Sequence, residues 1–185
     1  RQVRPDYSTA HVGQFDPDSG LFIEQDTHQG LSPDSCWSRG QAWAVYGFGE
    51  TYQATGDEAF LETARGLAGY ALRRLPADRV PYWDYESPLI PDDVRDSSAA
   101  AILASGLLNL ARIEPDAALA GRWREEAIAI LRSLWEGYSS RGAAEPSILL
   151  HATRSKPAGV TDHGLVYGDY YFVEGLTRLL RPELL

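Results

Sequence analysis

The 185-residue sequence has one cysteine and no methionine. A lone Cys36 excludes an intrachain disulfide and any cysteine-based zinc site. The four histidines, His11, His28, His151 and His163, show no HxxxH or similar metal spacing, so no metal is expected. No basic block stands out against a net charge of −9, which argues against nucleic acid as a partner. There is no run of about 18 apolar residues, so no membrane span is expected. The start, Arg1-Gln2-Val3-Arg4-Pro5, is not a signal peptide. With no initiator methionine, the chain is expected to be a fragment or a trimmed piece of a longer one.

What is present suffices for a core. Hydrophobic residues make up 44% of the chain, enough for one globular domain spanning residues 1–185. Two β-prone runs, Tyr7–Phe15 and Leu21–Ile23, flank Asp16-Pro17-Asp18-Ser19-Gly20, which reads as a hairpin. A first helix is expected from about Trp37 to Ala54, capped by Asp34 or Ser35 and stopped at Thr55-Gly56. It is apolar or small nearly all round, so it should be buried on most sides. A second, from about Asp57 to Leu75, is amphipathic. Asp96 should cap a third, apolar helix running to about Arg112. An amphipathic fourth follows at about Asp116–Tyr138, and a last apolar one from near Asp169 to Leu180.

Buried and surface helices thus alternate, and each buried helix follows a long polar loop. That is the rhythm of concentric helical hairpins, an all-α fold with a short β-hairpin near its N-terminus. It gathers the loops at the N-terminal ends of the inner helices, where backbone N–H groups favour an anionic ligand. Two hairpins and one extra helix are too few to close a ring.

The richest stretch is Ser35-Cys36-Trp37-Ser38-Arg39-Gly40-Gln41-Ala42-Trp43. Indole faces stack on sugar rings, and a guanidinium holds a carboxylate with two parallel hydrogen bonds. The plainer role for both tryptophans is core packing, and that is the role expected of Trp43. With Thr27-His28-Gln29-Gly30-Leu31, this stretch resembles the signature of the unsaturated glucuronyl hydrolases, glycoside hydrolase family 88. Val80-Pro81-Tyr82-Trp83-Asp84, Arg95-Asp96-Ser97-Ser98-Ala99-Ala100 and Tyr167-Gly168-Asp169-Tyr170-Tyr171-Phe172 resemble it too, in the same order. The related unsaturated rhamnogalacturonyl hydrolases are similar, but the Ser-Arg-Gly-Gln-Ala-Trp run is closer to the glucuronyl branch.

The resemblance implies the C-terminal portion of an (α/α)6 barrel and a glycoside hydrolase that needs no cofactor. Its substrate would be an oligosaccharide made by a lyase, with a 4,5-unsaturated uronic acid at the non-reducing end. In this family an Asp protonates C4 of the vinyl ether and activates water for attack at C5. The hemiketal then opens and frees the next sugar. No residue of this chain matches that Asp or its acidic neighbour, so no catalytic residue is assigned. The resemblance carries over substrate-binding roles to His11, Gln29, Trp37 and Arg39, and to Tyr170 on the last inner helix. Asp34, Asp96 and Asp169 are expected to cap helices or order loops; Asp84 is the one whose aromatic surroundings would favour a neutral acid. His28, His151 and His163 are expected to be solvated loop residues, and Cys36 a small buried one. The remaining half-barrel or a second copy is the expected protein partner, and the location is expected to be cytoplasmic. The rival reading is a catalytically inactive sugar-binding or structural module.

Overall fold

The structure, a computed structural model, describes residues 1–184. Strands β1 (Val12–Phe15) and β2 (Phe22–Asp26) form an antiparallel hairpin with Val12 opposite Asp26. Five α-helices follow among the described residues: α1 (Ser38–Thr55), α2 (Glu58–Arg74), α3 (Ser97–Ile113), α4 (Ala117–Gly137) and α5 (Val166–Leu180). A 3-10 turn covers Pro182–Leu184.

Three of the five helices are capped by an aspartate, as expected for Asp96. Asp57 accepts from the Ala59 N–H at 3.0 Å, Asp96 from the Ser98 and Ala99 N–H groups, and Asp116 from Ala118 and Leu119. The expected cap of α1 by Asp34 or Ser35 is not formed. The Ser38 N–H and Oγ–H instead both donate to the Trp83 carbonyl, at 3.1 and 3.0 Å. Ser35 Oγ turns to Asp84 Oδ2 at 2.8 Å. A neighbouring loop has taken the side-chain cap's place. Helix α5 begins three residues before the expected Asp169, with no side-chain cap at Leu165.

Helix α3 is buried on every side from Ser97 to Leu110. It packs on α1, α4 and α5, while α2 packs on α1. The inner helices are therefore α1, α3 and α5, with α2 and α4 outside. Each outer helix turns one apolar stripe inward. In α2 it includes Leu61, Ala64, Leu67, Ala68 and Ala71; in α4, Trp123, Ala127, Ile130, Leu131 and Leu134. Each large side chain there contributes about 1.5–3 kcal/mol by leaving water. Small residues let the inner helices touch: a Cβ on Gly106 of α3 would lie 3.1 Å from the Tyr46 backbone of α1.

The ring is open at both ends. On α5, Val166, Tyr170, Val173 and Leu180 are 81%, 59%, 48% and 69% exposed. On α1, Trp43 is 36% exposed, contrary to its expected core position. One edge of the indole meets the Tyr171 ring of α5 at 5.0 Å, and the rest of it is left against a cavity.

Two glycines should respond oppositely to added bulk. Gly106→Val would push α1 and α3 apart and lower stability by about 1–3 kcal/mol, read as a lower urea midpoint with unchanged slope. Gly121, in α4, has open space where a Cβ would sit. Gly121→Ala should raise the midpoint by up to ~1 kcal/mol through helix propensity alone.

Candidate substrate site

The loops do gather at the N-terminal ends of the inner helices. His11 stands at the entry to β1, next to the Val12–Asp26 pair, so the hairpin register sets it beside Thr27. Its Nδ1 lies 3.1 Å from Thr27 Oγ1. Thr27 Oγ1 already accepts the Gly30 N–H at 2.9 Å, so its own proton points at the imidazole. The His28 and Gln29 N–H groups also donate to Nδ1, at 3.2 and 3.3 Å. Three donors on Nδ1 place the ring proton on Nε2. Burial lowers the His11 pKa below its ordinary 6.5; the nearby His28 and Arg39 push the same way, and Asp26 opposes them. The site therefore holds a neutral imidazole whose remaining polar group is an N–H donor.

Gln29 is oriented by the loop that precedes α5. Its Nε2 donates to the Arg154 carbonyl at 2.7 Å, which leaves Oε1 as the free acceptor. His11 and Gln29 line a cavity of about 650 Å3 together with Trp37 and Trp43. The His11 and Trp37 ring centres are 4.4 Å apart. Trp37 itself is only 6% exposed, so the broad indole surface offered to the cavity belongs to Trp43. Gly40, Trp43, Ala44, Gly47 and Thr51 line the same wall, a spacing of three and four residues that puts them on one face of α1. That spacing was visible in the sequence as the signal for Trp43. A helix face does not announce whether a neighbour covers it, so the sequence alone points to a core position.

Arg39 lies beneath this wall, buried. Its guanidinium carbon is 4.5 Å from the Trp37 ring centre and 5.3 Å from that of Tyr167. Nη1 donates to Asp96 Oδ2, to Ser98 Oγ at 3.3 Å and to the Thr153 carbonyl at 2.7 Å; Nη2 donates to the Arg154 carbonyl at 2.7 Å. The residue expected to clamp a ligand carboxylate thus has most of its donors engaged within the protein. Asp96 has no exposed surface. Burial pushes its carboxyl up from the ordinary range, against the pull of Arg39, the Ser98 hydroxyl and the backbone N–H groups.

Tyr170 stands apart from these four. It lines a separate cavity of about 450 Å3 with Ile148, Val166 and Val173. A chain of edge-on rings links it to the main site, Tyr170 to Tyr171 at 4.9 Å and Tyr171 to Trp43 at 5.0 Å.

Asp84 and Asp169 both order loops. Asp84 accepts from the Leu31 N–H at 2.9 Å, the Ser35 hydroxyl at 2.8 Å and the Glu86 N–H at 3.0 Å, and it does not line the cavity. Its aromatic neighbours are there, but its oxygens are taken up by three donors of the protein itself. Asp169 orders the preceding loop by accepting the Ile148 and Leu149 N–H groups. No Asp or Glu is among the residues lining the large cavity. No cluster of three or more His, Cys, Asp or Glu among the described residues could hold a metal ion. Cys36 is buried, and burial pushes its thiol up to about 11.

His11 gives this geometry a pH signature. Its lowered pKa means that the unfolded chain binds the proton more readily. The stability it contributes is therefore complete above pH 6.5 and is lost as pH falls through the lower folded value. NMR of the imidazole should show the Nε2–H tautomer and a titration midpoint below 6.5. A midpoint at or above that value would contradict the assigned hydrogen bonds.

No family model matches the chain. It is 40% identical, over 97% of its length, to the unsaturated glucuronyl hydrolase of Bacillus sp. (strain GL1), and it covers 48% of that protein. It is 38% identical to the unsaturated chondroitin disaccharide hydrolase of Streptococcus pneumoniae, covering 97% of this chain and 46% of that protein. The crystal structure of the Bacillus sp. GL1 enzyme superposes with a TM-score of 0.91 over 98% of this chain and 49% of that one. The chain spans about half the length of the curated relatives it matches. Its helical hairpins are part of the α/α barrel of those enzymes. On sequence and on fold, the chain is similar to about half the length of the unsaturated glucuronyl hydrolases.

Proposed function

We propose that this chain forms the sugar-binding half of a glycoside hydrolase. The substrate would be an oligosaccharide carrying a 4,5-unsaturated uronic acid at its non-reducing end. The reaction would be hydration of the vinyl ether double bond. The observation that carries this reading is the composition of the large cavity. It offers a neutral N–H donor from His11, an acceptor oxygen from Gln29 and the exposed indole of Trp43. One donor and one acceptor beside an aromatic face suit adjacent hydroxyls on a sugar ring. The functions named for the relatives support the same class of ligand.

The proton for C4 would come from outside these 185 residues, since no carboxyl group lines the cavity. The natural source is a further set of hairpins that completes the barrel. That partner would cover the exposed Val166, Tyr170, Val173 and Leu180 of α5 and the flank of α1 that carries Trp43. Buried in such a contact, those side chains would add the apolar area that a closed ring needs. A cytoplasmic location fits the single buried thiol. The same lack of a carboxyl favours the second reading, a sugar-binding module without activity of its own.

Turnover of an unsaturated chondroitin disaccharide, followed by loss of its ultraviolet absorbance, separates these readings. The 185-residue chain alone should bind the disaccharide, seen as a change in tryptophan fluorescence, without consuming it. Addition of the remaining half-barrel should bring turnover. Trp43→Ala should weaken binding about 5-fold, the loss of one stacking contact of about 1 kcal/mol. Turnover by the chain alone would show that it carries its own proton donor. Binding with no turnover in the completed barrel would favour the inactive module.

A further inference from the structure

The loop between α4 and α5 is held closed by three paired contacts. At its neck, the Ala152 and His163 N–H groups each donate to the other's carbonyl at 2.9 Å. Nearer the tip, Ser155 and Val160 exchange bonds of 3.0 and 2.9 Å. His151 and Asp162, at the neck, both adopt the left-handed backbone region, with φ of 62° and 60°. Their side chains meet, Nδ1 to Oδ1, at 2.6 Å. Two non-glycine residues in that region, so close together, are a strain that the surroundings must hold in place.

The tip is fastened elsewhere. Lys156 Nζ donates to Asp93 Oδ1. The Asp93 carboxylate is 2% exposed, and it also accepts Trp83 Nε1–H at 2.9 Å and the Ser87 hydroxyl. Between tip and neck the loop projects two carbonyls inward. Thr153 O accepts from Arg39, and Arg154 O accepts from both Arg39 Nη2 and Gln29 Nε2, each at 2.7 Å. Gln29 in turn donates its backbone N–H to His11 Nδ1.

We propose that residues 151–163 are a positioning loop, latched by Lys156 on Asp93 and by His151 on Asp162, whose Arg154 carbonyl fixes the orientation of the Gln29 amide. While the latches hold, Nε2 is engaged and Oε1 is presented to the cavity as an acceptor. With a latch released, the carbonyl moves away and the amide is free to rotate, so the acceptor is presented only part of the time. Lys156, His151 and Asp162 are positioning residues that act through Gln29. The choice of sugar as the ligand rests on the function proposed above; the control of Gln29 does not.

The first readout needs no ligand. In the full chain, NMR should show the Gln29 side-chain amide with one slowly exchanging N–H. Lys156→Met should abolish that protection and leave the amides of α3 protected. Lys156→Arg, which can still reach Asp93, should restore it. Asp162→Gly provides an independent variant, because glycine accepts φ of 60° without strain while the clasp to His151 is lost. It should free the Gln29 amide in the same way. Unsaturated chondroitin disaccharide should bind about tenfold more weakly to Lys156→Met and Asp162→Gly, and normally to Lys156→Arg. An unchanged Gln29 amide in both folded variants would overturn the inference. A Gln29 amide that responds as described, in a protein that binds no disaccharide in any form, would leave the loop's role standing and sink the functional reading instead.

Discussion

The Arg39 guanidinium and the Asp96 carboxylate meet where almost no water reaches them, with side chains 3% and 0% exposed. One comes from the first turn of α1, the other from the cap of α3. A charge in such a place is tolerated only when every lone pair and proton finds a partner. Here the partners define the site. Asp96 also accepts two backbone N–H groups and the Ser98 hydroxyl, which fixes the start of α3. Arg39 also holds the Thr153 and Arg154 carbonyls, which brings in the loop before α5. Three inner helix starts are thereby tied to one guanidinium, and the cavity wall of Trp37 lies directly on it. Buried ion pairs contribute little net stability against an apolar replacement, but losing one partner leaves a buried charge. The pair thus acts chiefly as a specifier of geometry.

This division of labour explains why Arg39 and Gln29 behave differently, although both bond to the Arg154 carbonyl. Arg39 is buried and uses that carbonyl as one of several acceptors. Gln29 sits at the cavity rim and uses it to choose which end of its amide faces the ligand. His11 is set by the same logic, three donors on Nδ1 deciding that Nε2–H faces outward. Binding groups are thus presented in a single protonation and orientation state before any ligand arrives. That is the condition for recognising a hydroxyl-bearing ring without a reorganisation cost.

Much of the architecture was legible because its signals are local. Asp57, Asp96 and Asp116 cap the helices that follow them, and the stripes of α2 and α4 show which face turns inward. The all-small, all-apolar run of Ala99–Ala104 gave α3 away as a helix surrounded by others. What was not legible depends on distant parts of the chain. The start of α1 is capped by a carbonyl 45 residues later, and no side chain near Trp37 hints at it. Trp43 and Val45 look alike as apolar positions; one is 36% exposed and the other fully buried, because packing from distant elements covers one completely and the other only in part. Arg39 read as a ligand clamp because residue type cannot show that its acceptors lie 57 and more positions away.

The dependence of the site on this pair is tested most directly by a double-mutant cycle on stability with Arg39→Met and Asp96→Asn. Each single change should cost about 3–5 kcal/mol, since each leaves one buried charge without its partner. The double change should cost little more than either alone, giving a coupling of at least about 2 kcal/mol. Additive costs would contradict the account: the two residues would then contribute separately, and the convergence of the three helix starts would need another cause.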